Sequence, residues 1–171
     1  TKDKGLFFTP DPTLKLDCYV DTDFAGLYHV KNNQDPICVK SRTGYVLMLG
    51  LCPLLWVSKL QTEIALSTTE AEYIASSQSM HDLLLMHRLI QEAGSALSYD
   101  LTKPASLHST VFEDNNGAIS LAISLKISPH TKHIAIKYHH FHSSIGMSKG
   151  IVIEKIDTKK QKADILMKGL S

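Results

Sequence analysis

Much is missing from this chain, and each gap closes off a class of function. No apolar run approaches the ~18–20 residues that cross a bilayer, and the opening TKDKGLFFTPDP holds no long apolar stretch of the kind found in a secretory signal. Internal repeats and low-complexity segments are absent, which sets aside solenoids and linkers. Cysteine is scarce: Cys18, Cys38 and Cys52 are an odd number without CxxC spacing. That argues against a disulfide framework and a zinc knuckle, and it suits a reducing, non-secretory compartment. The chain does not open on methionine, as expected of a piece of a longer polyprotein.

What is present describes a folded domain. At 171 residues, 43% hydrophobic and 20% charged, the chain is long enough to bury a substantial core and too apolar to be disordered. Net charge is only +1, but it is unevenly spread. Residues 1–125 carry fourteen acids against nine Lys and Arg, while residues 126–171 carry nine Lys against three acids. A basic C-terminal third beside an acidic remainder fits a polyanion held against a carboxylate-rich site, although a lysine-covered helical surface would look the same.

Alternation in LDCYVDTDFAG, residues 16–26, marks a strand over 14–21 that runs into Asp21 and Asp23 instead of a Gly or Asn turn. Further strands are expected at 43–50, 54–58, 106–112 and 151–156, the second and third joined tightly around Gly50. Residues 27–41 read mostly as a loop. The helix over 67–94 has Ala71, Ile74, Ala75, Leu85, Leu89 and Ala93 at helical spacing and Gly94 as its stop. Shorter helices are expected from about 118, over 131–146 and over 159–169. The order β-β-β-α-β-α-α-β-α predicts an α/β domain whose mixed sheet is flanked by helices.

Acids fall at four places along the chain that such a sheet could bring together. Asp21 closes the first strand, Asp114 the fourth, Glu70 and Glu72 open the long helix, and Asp164 sits in the last helix. Ligands of open α/β sheets collect at the carboxyl ends of strands. Clustered carboxylates stay ionised together only around cations, and hard oxygen donors without His or Cys favour Mg²⁺ or Mn²⁺. Two such ions clamp the attacking water and the leaving oxygen of a phosphodiester. Ser67-Thr68-Thr69-Glu70 fits a capping box, which gives Glu70 a structural task and favours Glu72 as the ligand, with Glu70 left as the alternative. Taken singly, Asp21 fits a turn, Asp114 a helix cap and Asp164 a solvated helix acid.

YVDTDFAG, SRTGY, LLWVSKLQTEIALSTTEAEY, EDNNGAI, HTKHIAIKYHHF and DTKKQKADILMKGL resemble, in this order, the motifs of the RNase H domain of copia-type LTR retrotransposons. The resemblance runs from about residue 5 to 170. It implies an RNase H-like fold, a five-stranded mixed sheet with the first three strands antiparallel, over one domain of 1–171 in which 1–13 link to an upstream reverse transcriptase. It implies an Asp-Glu-Asp-Asp site on Asp21, Glu72, Asp114 and Asp164 binding two Mg²⁺ or Mn²⁺ ions. The implied reaction cuts the RNA strand of an RNA–DNA hybrid, by a monomer in the cytoplasm or a virus-like particle. Substrate contacts are expected from Thr22, Asp23, Thr68, Thr69, Asn115, Asn116 and Lys132, since 2′-hydroxyls and phosphates are what such a protein reads. Phe24 stands where the family commonly has Trp, and His130 where Arg is common. The Thr158–Lys162 segment lacks the histidine that cellular RNases H carry there. The alternatives are a non-catalytic nucleic-acid-binding or structural module of the same fold, and a related nuclease acting on DNA. His139 and His142 share a helical face without a third ligand for zinc.

Overall fold

Residues 15–29, 34–96, 107–123, 139–146 and 150–167 are described by the computed structural model. Alternation in the first strand decides the architecture. Leu16, Cys18 and Val20 on one face of β1 (Lys15–Asp23) are fully buried, and Tyr19 on the other is buried too. A strand buried on both faces belongs in the middle of a sheet. β1 lies at the centre of five strands in the order β3-β2-β1-β4-β5. It pairs antiparallel with β2 (Arg42–Leu49) and parallel with β4 (His108–Glu113). β3 (Cys52–Leu60) and β5 (Ile151–Lys155) form the edges. This is the mixed sheet, antiparallel in its first three strands, that the sequence implies.

The β2–β3 hairpin turns at Gly50, whose φ of +58° suits a residue without a Cβ. Pro53 is accommodated because β3 is an edge, and the ladder shifts register beside it between Leu47 and Met48. One face of the sheet carries the main core, where Leu16, Cys18, Val20, Tyr45, Leu47 and Val111 meet Tyr73, Met80 and Leu83 of α1 (Thr68–Ala96). On the other face Tyr19 stacks on Phe112 with centroids 4.8 Å apart, and Lys162 Nζ sits 4.4 Å above the Tyr19 ring.

α1 departs from its sequence reading in two respects. It runs through Gly94 to Ala96, so Gly94 does not stop it. Ala71, Ile74 and Ala75 face inward as expected, yet Leu85 and Leu89 are 53% and 48% exposed while Met80, Leu83 and His87 take the inward positions. Leu83, Leu84, Leu85 and Met86 are consecutive apolar residues, so periodicity alone leaves the phase of this half open. The small residues Ala71, Ala75, Ser76 and Ser79 near its start, all buried, set the rotation by letting α1 lie close on β1.

β1 runs two residues beyond Asp21, alongside β2, so Asp21 lies within the strand and not at its end. After β4 comes α2 (Asn116–Ile123). Of the helix expected over 131–146, residues 131–138 lie outside the described set and 139–144 form a 3₁₀ turn, in which the His142 ring lies 3.3 Å from the carbonyl of Leu121. The closing helix expected over 159–169 is two 3₁₀ turns, Thr158–Lys160 and Lys162–Leu166. Gln161 separates them in an extended conformation, its side chain directed into the sheet. Among the described residues no helix is long and apolar enough to cross a membrane.

The phase of α1 is tested by alanine substitution and urea denaturation. Leu83→Ala is expected to cost about 2–5 kcal/mol, and Leu85→Ala no more than ~0.5 kcal/mol. Equal losses would contradict this packing.

Candidate metal centre

Three backbone elements deliver one carboxylate each to the same end of the sheet. Asp21 lies on β1 opposite Gly44 of β2, Glu72 lies in the first turns of α1, and Asp114 directly follows β4. One carboxylate oxygen from each lies within 4.8 Å of the others. Asp164, from the last 3₁₀ turn, stands outside this group of three but near enough for its charge to act on Asp21.

Glu70 and Glu72 have separate surroundings. The Glu70 carboxylate accepts the backbone N–H of Leu66 at 2.9 Å, and the Ser67 hydroxyl accepts the N–H of Glu70 at 3.2 Å. This is a capping box shifted by one residue, since the sequence reading has Glu70 reaching the N–H of Ser67. Glu72 turns the other way, is 7% exposed, and has one oxygen with no hydrogen-bond partner.

The expected substrate contacts divide by their neighbours. Thr22 donates its N–H to Asp21 at 2.9 Å, and its side chain hydrogen-bonds Glu72. Asp23 lies over Gly26, in the turn where Ala25 has a φ of 49°, and its charge is a lesser influence on Asp21. Thr69 abuts Gly117 of α2, where a Cβ would fall 2.8 Å from its side chain. Asn115 caps α2, its Oδ1 accepting the N–H groups of Gly117 and Ala118 at 2.8 and 3.1 Å. The cap of that helix is therefore Asn115 and not Asp114. Thr68 and Asn116 are exposed at adjoining helix starts, and Lys132 lies outside the described residues.

Three participants went unread in the sequence. Glu113 is 1% exposed, and its carboxyl accepts the Ser76 hydroxyl at 2.7 Å and the N–H of Asn115 at 3.1 Å. It was legible in principle, because in HSTVFE it shares the phase of Ser109 and Val111, the buried face of β4. Thr158 donates its hydroxyl to Asp114 Oδ2 at 2.7 Å. Gln61, also 1% exposed, donates to Thr43 Oγ1 at 3.0 Å and to the carbonyl of Ala71 at 2.9 Å, fixing the start of α1 against β2. Nothing in the spacing of these last two residues marks them.

The electrostatics follow from burial. Desolvation, then the charges of Asp114 and Asp164, push the Asp21 carboxyl from its ordinary 3.8 up to about 6, against the lowering effect of the Thr22 N–H. Glu72 and Glu113 are raised further, chiefly by burial, and the Glu113 charge is the foremost electrostatic influence on Glu72. Such a cluster has a high affinity for positive charge. An all-oxygen donor set with one buried, unpartnered Glu72 oxygen suits Mg²⁺ or Mn²⁺ and not zinc.

A carboxyl that holds its proton more tightly when folded stabilises the fold below its unfolded value, and that contribution is lost as pH rises through the folded value. Without divalent ions, stability is therefore expected to fall as pH rises from about 4 through about 6 for Asp21, and over a higher range for Glu72 and Glu113. Melting in EDTA near pH ~8 should show Glu72→Gln raised, each kcal/mol being worth about 2–4 °C. Glu70→Ala should be lowered through a lost cap worth about 0.5–2 kcal/mol. Mg²⁺ should raise the melting temperature of the wild type and not that of Asp21→Asn.

No family model matches the chain. Over 171 aligned residues it is 32% identical to the retrovirus-related Pol polyprotein from transposon RE2 of Arabidopsis thaliana, covering 100% of this chain. It is 34% identical to the one from transposon TNT 1-94 of Nicotiana tabacum, covering 98% of this chain. The chain spans only 11% of the length of either relative. Among solved structures, LC11-RNase H1, isolated from compost by a metagenomic approach, matches with a TM-score of 0.56 at 18% identity, over 90% of this chain and 92% of that one. A crystal structure of LC11-RNase H1 in complex with an RNA/DNA hybrid gives 0.55 at 17% identity, over 88% and 92%. The chain is thus a homologue of a segment of the retrovirus-related Pol polyproteins of plant transposons, and it has the fold of RNase H domains.

Proposed function

We propose that this domain is a metal-dependent endoribonuclease that hydrolyses the RNA strand of an RNA–DNA hybrid. The observation that carries the reading is the meeting of Asp21, Glu72 and Asp114 within 4.8 Å, with a buried Glu72 oxygen left unpartnered. The hybrid bound to LC11-RNase H1, a protein of the same fold, supports the choice of substrate. In this reading Asp21, Glu72, Asp114 and Asp164 hold two divalent ions, Mg²⁺ or Mn²⁺. Bound there, the ions supply Lewis-acid charge to the attacking water and to the departing 3′-oxygen of the phosphodiester.

The chain's own groups keep the acids ready. The N–H of Thr22 and the hydroxyl of Thr158 orient Asp21 and Asp114. Burial favours the neutral forms of Glu113 and Glu72 alike, so a cation bound beside Glu72 is what would keep that carboxylate charged. Lys159, Lys160 and Lys162 line a groove of about 480 Å³ beside Asp164 and are suited to backbone phosphates. Lys132 is assigned the same task on sequence grounds alone. Thr68 and Asn116 are the exposed candidates for reading 2′-hydroxyls, which only the RNA strand offers. Thr22, Asp23, Thr69 and Asn115 serve mainly to shape the rim. The Pol polyprotein relatives support action as part of a longer polyprotein; an upstream reverse transcriptase, and a place in the cytoplasm or a virus-like particle, rest on the sequence resemblance alone.

Incubation of a labelled hybrid with Mg²⁺ tests the reading. The wild type should cut the RNA strand and spare duplex DNA. Asp114→Asn should lose activity by about 10²–10³-fold, the scale of a lost electrostatic group. It should keep hybrid affinity within about threefold, since lysine contacts to phosphate supply most of the binding. Binding by the wild type without cleavage would overturn the enzyme reading in favour of a non-catalytic module.

A further inference from the structure

β1 and β4 pair in parallel only as far as Tyr19 and Phe112. Beyond that pair the strands part, β1 continuing along β2 to Asp23 while β4 stays with β5 to its end at Glu113. The buried carbonyl of Val20 opens into this fork, where it would cost about 1–3 kcal/mol if left unsatisfied. Gln161 fills the fork. Its Nε2 donates to the carbonyl of Val20 at 2.7 Å and to that of Phe112 at 3.3 Å, and the residue is 6% exposed. Its Oε1 accepts the N–H of Ala163 at 3.4 Å, capping the last 3₁₀ turn.

The three anchored positions are those that carry the acids. Val20 immediately precedes Asp21, Phe112 lies two before Asp114, and Ala163 immediately precedes Asp164. From the same segment, Thr158 holds Asp114 Oδ2 at 2.7 Å. We propose that Gln161, seconded by Thr158, is a positioning residue that sets the spacing of Asp21, Asp114 and Asp164 and thereby the affinity of the centre for divalent cations. A carboxamide is suited to the place because it offers two N–H donors and an acceptor without charge. A carboxylate could not donate and would add to the repulsion, while a lysine would neutralise the cluster that the cations require.

The inference rests on the metal-dependent reading above, and its test separates the two. Mn²⁺ binding is measured by the loss of the free-ion EPR signal, alongside hybrid cleavage and thermal melting. Gln161→Met removes donors and acceptor at similar length. It is expected to weaken Mn²⁺ binding by about 10–100-fold, the loss seen when groups that orient metal ligands are removed, and to raise the Mg²⁺ concentration needed for half-maximal cleavage in parallel. Ile151→Val, at the opposite end of β5, serves as a stability control and should leave Mn²⁺ affinity within about twofold. Unchanged Mn²⁺ affinity in folded Gln161→Met overturns the proposal, as does an equal loss in the control at matched melting temperature. Should Gln161→Met fail to fold, Thr158→Val, at an exposed position, carries the test: a fall of about threefold or more supports the proposal, and no change overturns it. Wild type that binds Mn²⁺ but does not cut hybrid removes the nuclease reading and leaves these comparisons in force. Wild type that binds Mn²⁺ no better than Asp114→Asn overturns both.

Discussion

Like charge held at close range is the constraint on which this structure turns. Two carboxylates ~4 Å apart repel by ~4 kcal/mol at an effective dielectric of ~20, and here Asp21, Glu72, Glu113, Asp114 and Asp164 share one end of a sheet. The surroundings meet the first four of these with donors that do not cancel their charge. A backbone N–H serves Asp21, hydroxyls serve Glu113 and Asp114, and Thr22 serves Glu72. Glu72 also lies in the opening turns of α1, where aligned peptide dipoles favour negative charge. What remains unbalanced is a demand for cations, and the chemistry proposed for the domain uses that demand.

A site under such internal repulsion needs a stiff frame, and much of the stiffness comes from two neutral carboxamides. Gln61 fastens the beginning of α1 to β2, next to Glu72. Gln161 fastens the ends of β1 and β4 and the turn bearing Asp164. Both are buried, and both bond backbone carbonyls beside acids instead of the acids themselves. Geometry is thus controlled separately from charge.

The sequence made part of this legible. Strand alternation such as Leu16-Cys18-Val20 and the hairpin at Gly50 led to the sheet, because period and turn chemistry are local signals. The meeting of Asp21, Glu72 and Asp114 was anticipated from element ends and from the resemblance. The capping argument also separated Glu70 from Glu72, although the hydrogen bond goes to Leu66 and not Ser67. The outer half of α1 was misread because four consecutive apolar residues carry no phase, and the final helix because the inward turn of Gln161 breaks it. Gln161 and Thr158 were invisible as site-forming residues. Their partners lie far along the chain, and no periodicity records a contact between a loop and a distant strand end.

Thr69 and Gly117 touch where α1 and α2 begin, one on the helix that presents Glu72 and the other three residues after Asp114. The gap between these helix starts is set by the methyl group that Gly117 lacks. The tolerances of this acidic centre are therefore written partly in empty volume. A lineage of such domains could keep every acid and still lose function through a single added carbon at Gly117.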